Sequence, residues 1–104
     1  MKRFLWPLAL LGLTFALSAR AEDPMALAKK YACLSCHAVD HKLVGPAWKD
    51  VASRYRGDKG AEAKLVAKVR KGGSGVWGTI PMPPNPTPSD AELKQLVGFI
   101  LSLK

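Results

Sequence analysis

Hydrophobic residues recur at helical spacing in only some parts of this chain. The clearest run is at the C-terminal end, where Leu93, Leu96, Val97, Ile100 and Leu101 fall on one helical face. Ser89-Asp90-Ala91-Glu92 precedes them and matches a capping box, in which the Ser89 hydroxyl and the Glu92 carboxylate satisfy backbone N–H groups of the first turn. A second helix is predicted over 61–71. Ala61, Leu65, Val66 and Val69 share its apolar face, and Glu62, Lys64, Lys68 and Arg70 are left to solvent. Gly72-Gly73 ends it, and its basic last turn suits the negative end of the helix dipole.

Two shorter helices are predicted upstream. Asp23-Pro24 reads as an N-cap followed by proline in the first turn, which starts a helix running from Met25 to about Ala32. Trp48 to Tyr55 forms another, with Trp48, Val51 and Tyr55 on one side, and Gly57 and Gly60 bracket the turn after it. Between the last two helices lies GGSGVWGTIPMPPNPTPS, which holds five of the eight prolines within positions 81–88. No strand alternation stands out. The expected class is all-α: three or four short helices joined by long ordered loops, which need a body to pack against.

The first 21 residues carry a different pattern. Lys2 and Arg3 make a positive start, Phe4 to Leu17 is an apolar run, and Ala19-Arg20-Ala21 offers a small-x-small cleavage site. This is the layout of a secretory signal peptide. The apolar run is shorter than the roughly 20 residues a spanning helix needs, so no stable membrane insertion is expected after cleavage. Residues 1–21 are therefore read as a cleaved signal and 22–104 as a single domain. Removing Lys2, Arg3 and Arg20 from the sixteen basic residues leaves thirteen against eight acidic ones, a net charge of about +5. The mature chain of 83 residues is small enough to need a staple.

Candidate chemistry is concentrated in one place. Cys33-Leu34-Ser35-Cys36-His37 contains both cysteines and one of the two histidines. A redox dithiol of this spacing normally sits in a βαβ context, which the helical pattern does not provide. A closed zinc site needs a fourth ligand, and using His41 crowds four ligands into nine residues. A disulfide across two residues closes a very small ring and stabilises little. Cys-x-x-Cys-His is the signature of covalent haem attachment, with each thiol adding across a vinyl group and the imidazole reaching the iron. In a continuous helix Cys33, Cys36 and His37 stand at i, i+3 and i+4 on one face. A porphyrin also answers the size problem, and Val51, Leu65, Val69, Val76, Trp77, Ile80 and Val97 are expected to contribute to its apolar wall.

For the sixth iron ligand the candidates are Met82, Met25, His41, a lysine or an open position. Met25 is one helix before the attachment motif, and His41 is too near His37 to reach the far face easily. Met82 lies in Ile80-Pro81-Met82-Pro83-Pro84, stiffened by fixed φ angles and restricted residues before proline. Methionine/histidine ligation fills the coordination sphere, raises the potential and limits chemistry to one-electron exchange. The alternative is a haem enzyme or gas sensor with a labile sixth ligand.

With EDPMAL after the cleavage site, CLSCHAVDHKLVGPAWKDVASRY and GVWGTIPMPPN, the chain resembles bacterial class I cytochromes c, and closely the cytochrome c-551 group, over essentially all of its mature length. The resemblance implies the class I fold, wrapped around one haem c held by two thioethers from Cys33 and Cys36, with His37 and Met82 as axial ligands. It also implies that the Pro46 carbonyl accepts a hydrogen bond from His37, that Asn85 bonds near the Met82 sulfur, and that Trp77 donates to a haem propionate. Lys68 stands where the family often has arginine near a propionate; a point charge does not reproduce an arginine fork.

The implied function is that of an electron-transfer protein in the periplasm, not an enzyme. It would be a monomer passing electrons from a membrane cytochrome complex to a terminal enzyme, either an oxidase or the nitrite reductase of denitrification. Lys29, Lys30, Lys42, Lys49, Lys68, Arg70 and Lys71 are candidates for steering such encounters. The charges are dispersed, without a basic–aromatic segment, so nucleic acid is not an expected partner.

Overall fold

The computed structural model describes residues 22–104, together with Gly12; the rest of the predicted signal peptide lies outside the described residues. Four α-helices carry the domain: α1 (Pro24–Lys30), α2 (Trp48–Arg54), α3 (Ala61–Lys71) and α4 (Asp90–Ser102). A 3-10 turn at Cys33–Ser35 follows α1, and a small hairpin of β1 (Gly73–Gly75) and β2 (Gly78–Met82) follows α3. Among the described residues no helix is long and apolar enough to cross a membrane.

Helix α4 is the element on which the others are assembled. Ser89 and Glu92 form the expected reciprocal cap: the Glu92 N–H donates to Ser89 Oγ at 3.1 Å, and the Ser89 N–H donates to Glu92 Oε1 at 3.0 Å. Leu93, Leu96, Val97 and Ile100 are then buried at helical spacing. A 13-residue helix is marginal on its own. Burial contributes roughly 1.5–3 kcal/mol for each such side chain, so packing rather than propensity holds it. Helices α1, α2 and α3 all pack against α4. Ala28, Trp48, Val51, Leu96 and Ile100 form one core cluster, and Phe99 meets the edge of Trp48 at 6.4 Å between ring centroids.

Two sequence expectations are corrected here. Helix α1 starts where predicted, with Asp23 Oδ1 accepting from the Met25 N–H at 3.0 Å, but it stops at Lys30. Tyr31 caps it, and Ala32 takes a left-handed conformation (φ 60°), so the helix does not run into the cysteine motif. The second correction is the hairpin, for which the sequence shows no alternation. Gly73 pairs with Met82 and Gly75 with Gly78, with an irregularity between the two pairs and Val76-Trp77 at the tip. Both short strands are exposed on the protein side apart from Met82, so no inward–outward alternation is imprinted on their residues. The molecule is still mostly helical, as expected.

Candidate haem site

Between the cysteine motif, α2, α3, the hairpin and α4 lies a cavity of about 350 Å³. Cys33, Cys36 and His37 reach it from one segment of the chain, and Met82 reaches it from the end of β2. Pro46, Lys68 and Trp77 line it as well. So do all seven residues expected to form an apolar wall: Val51, Leu65, Val69, Val76, Trp77, Ile80 and Val97. Of the eight candidate site residues, Asn85 is the one that does not line the cavity.

The cysteine segment is shaped by backbone bonds rather than by a continuous helix. The N–H groups of Cys36 and His37 both donate to the Cys33 carbonyl, at 3.2 and 3.0 Å. One tight turn therefore sets the relative placement of the three residues, as the i, i+3, i+4 spacing requires, although only Cys33–Ser35 is 3-10 helical. The Gly45 N–H donates to the Cys36 carbonyl at 2.8 Å, which folds the following loop back onto the motif. Cys33 and Cys36 are not joined in a disulfide. Burial pushes the Cys33 thiol above its ordinary range, the reverse of the depressed value that activates an exchanging dithiol.

His37 is held at three places. Its Nδ1 lies 2.8 Å from the Pro46 carbonyl oxygen. A carbonyl only accepts, so Nδ1 carries the proton and donates, leaving the Nε2 lone pair free for a metal. The ring stacks on Trp48, with centroids 6.0 Å apart and planes 25° from parallel, and Gly45 lies against it with no side chain between them. This is the orienting bond that metal-bound histidines characteristically make.

Met82 is positioned by the segment around it. The Gly72 Cα packs against the Met82 carbonyl and the Pro84 nitrogen, so the end of α3 supports the proline loop directly. Beyond two prolines, the Asn85 N–H donates to the Val69 carbonyl at 2.8 Å. The Asn85 amide donates to the Tyr31 carbonyl at 3.1 Å. An amide carries two N–H bonds, and this contact uses one of them.

Trp77 stands at the hairpin tip, 42% exposed, with the Arg54 guanidinium 5.2 Å from its ring centroid. That cation–π contact joins the end of α2 to the hairpin. Nothing in the sequence singles Arg54 out from the other basic residues, and only the fold brings it to Trp77. Val44, Tyr55, Leu96 and Ile100 also line the cavity, and the seven-residue wall expected from the sequence omits them. For Tyr55, Leu96 and Ile100 the signal was the apolar face of α2 and α4, which serves core and cavity together, whereas Val44 lies in the loop before α2 and has no periodic signal.

Among the basic residues considered for steering, Lys42 and Lys68 line the cavity. Lys30 instead pairs with Glu92 at 3.5 Å, and Arg70 with Asp90. Lys29, Lys49 and Lys71 are not among the lining residues.

The residues present suit a haem. Two thiols and an imidazole of fixed tautomer stand together on one segment, a thioether comes from another, and the walls between them are apolar. The family model for cytochrome c matches residues 22–104. The chain belongs to the cytochrome c family. It is 50% identical to cytochrome c-551 of Pseudomonas aeruginosa over 93 residues, covering 89% of this chain and 88% of that one. It is 48% identical to cytochrome c-552 of Hydrogenobacter thermophilus across the full length of both. The crystal structure of Nitrosomonas europaea cytochrome c552 superposes with a TM-score of 0.74 at 51% identity, covering 77% of this chain and 99% of that one. Within the family the chain falls in the class I, c-551 group, with the corresponding fold, and it is a small electron-carrying haem protein.

Proposed function

We propose that this cytochrome is a periplasmic one-electron carrier, taking electrons from a membrane cytochrome complex and delivering them to a terminal reductase. The convergence of His37 and Met82 on one apolar cavity beside Cys33 and Cys36 carries this reading. Cys33 and Cys36 would hold one haem c through two thioethers, and His37 and Met82 would supply the ligands to its iron. Bound there, the haem supplies an iron that gains and loses a single electron.

The polypeptide keeps rearrangement small. His37 is oriented by the Pro46 carbonyl and the Trp48 face, so its Nε2 stays aimed in either oxidation state. The prolines around Met82 restrict the loop, and the thioether closes the position at which a small ligand would enter. Lys68 and the Trp77 indole, on the same cavity, supply positive charge and an N–H donor for propionates. Asn85 offers its second amide hydrogen to the methionine sulfur. With its sixth position closed, the protein works as a carrier rather than as an enzyme or gas sensor.

Export is supported by the signal-like segment 1–21 and by a family match that begins at residue 22, where the mature chain is read to start. The carrier is a monomer, without stable membrane insertion after cleavage and without nucleic acid as a partner. The nitrite reductase of denitrification is the acceptor we favour, with an oxidase the other candidate. Lys42 and the exposed Val44, at the cavity, form a small basic and apolar surface suited to brief encounters.

Purification from the periplasm of a host that matures c-type haem tests the attachment. The expected mass is that of residues 22–104 plus one haem, and Cys36→Ala should lose one thioether. A colourless protein of unmodified mass would overturn the proposal. Electron transfer to an acidic partner should slow as ionic strength rises; a flat response would remove the steering role of the lysines.

A further inference from the structure

Tyr31 occupies an unusual position between the two halves of the site. It ends α1, two residues before Cys33, and its backbone carbonyl accepts the Asn85 amide at 3.1 Å. Its hydroxyl donates to the Glu92 carboxylate, 2.7 and 2.8 Å from the two oxygens. Glu92 is itself fixed by the cap of α4, accepting from the Ser89 N–H at 3.0 Å, and it is approached by Lys30 at 3.5 Å. One residue thus joins the entry to the cysteine motif, the N-terminus of α4 and the segment beyond Met82.

The link to Met82 is short and stiff. Only Pro83 and Pro84 separate Met82 from Asn85, and each ring fixes one backbone angle. Asn85 is held on its other side by the Val69 carbonyl, so its position follows from the two carbonyls it binds. If the Tyr31 backbone shifts, the Asn85 contact shifts with it. The hydroxyl bond ties the Tyr31 side chain to α4. The Glu92 carboxyl is held down at about 2, by the Ser89 N–H first and the Tyr31 hydroxyl next, so the acceptor stays ionised at neutral pH.

We propose that Tyr31 is a positioning residue for the methionine loop: anchored to Glu92 through its hydroxyl, it holds Asn85 through its carbonyl and so sets how readily the Met82 sulfur leaves the iron. This rests on the reading of Met82 as the axial ligand, and the experiment separates the two.

Cyanide binds the oxidised holoprotein only where the sulfur has left, so its apparent affinity reports the open population. Tyr31→Phe removes the hydroxyl and keeps the ring and the carbonyl. Part of one hydrogen bond to a charged group is lost to the loop, and cyanide affinity should rise on the order of tenfold. Asn85→Ala should raise it as well, and the double variant should show less than the product of the two effects. Ser89→Ala serves as the comparison, because it weakens the same helix end without touching Tyr31. It should lower thermal stability while leaving cyanide affinity within about twofold, because the Ser89 backbone N–H that holds the Glu92 carboxylate is kept. Unchanged affinity in Tyr31→Phe, independent effects in the double variant, or an equal rise in Ser89→Ala would each overturn the proposal. Failure of the underlying reading has a different signature: the unsubstituted oxidised protein would lack the sulfur-to-iron band in the far red.

Discussion

Gly45 is packed against the imidazole of His37. A Cβ placed on Gly45 would come within 2.5 Å of the His37 Cε1 and 2.9 Å of its Nδ1. The neighbour is an aromatic ring already held by the Pro46 carbonyl and by Trp48, so it has little room to give. Gly45→Ala should therefore tilt the ring or break the Nδ1 bond. Overpacking of this kind costs roughly 1–3 kcal/mol. The expected result is a lower unfolding midpoint together with shifted imidazole proton resonances in the holoprotein. Unchanged His37 resonances would show that the loop yields and the ring does not.

Gly72 plays the matching part for Met82. It ends α3 with φ 68° and ψ −164°, a region that residues with a Cβ avoid at a cost of about 1–3 kcal/mol. A Cβ there would also collide with the Met82 carbonyl oxygen and lie 2.7 Å from the Pro84 nitrogen. Gly72→Ala should loosen the methionine loop more than it disturbs the haem attachment. The check is carbon monoxide binding by the reduced protein, which should become detectable in the variant and be absent without the substitution.

Acid stability follows from Glu92. Its carboxyl lies at about 2 in the folded protein against an ordinary 4.5, held down by the Ser89 N–H and the Tyr31 hydroxyl. The unfolded chain therefore takes up this proton first, and the stabilisation is complete above about pH 4.5 and lost as pH falls toward 2. Asp58, held low chiefly by Lys64, and Asp40, held low chiefly by His41, act in the same direction. Thermal midpoints measured from pH 6 to pH 2 should fall in this window, and Glu92→Gln should flatten part of the fall. An equally steep profile in Glu92→Gln would assign the acid sensitivity to the other carboxylates.

The helices were legible because their signals are local. The Ser89–Glu92 cap and the Asp23 cap name their own helix starts, and the apolar spacing of α4 shows which face is buried. The cavity wall was legible for a related reason: the residues left over from the core, Val76, Trp77 and Ile80, sit in a loop that needed a body to pack on. The hairpin was not legible, since its short, glycine-rich strands have no protein layer on either side to impose a pattern. The break at Ala32 was missed because a left-handed alanine has no compositional mark. The Arg54–Trp77 and Tyr31–Glu92 contacts join residues far apart in the chain, and only the folded backbone brings them together.

The proposed function depends on the Met82 sulfur and the His37 imidazole clasping one iron. The far-red absorption of the oxidised holoprotein decides this, because only a sulfur ligand on low-spin ferric iron produces that charge-transfer band. The band is expected in the unsubstituted protein and should disappear in Met82→Ala, with the haem still attached and the reduction potential lowered. A holoprotein without the band, or a Met82→Ala variant that keeps it, would rule out ligation by Met82.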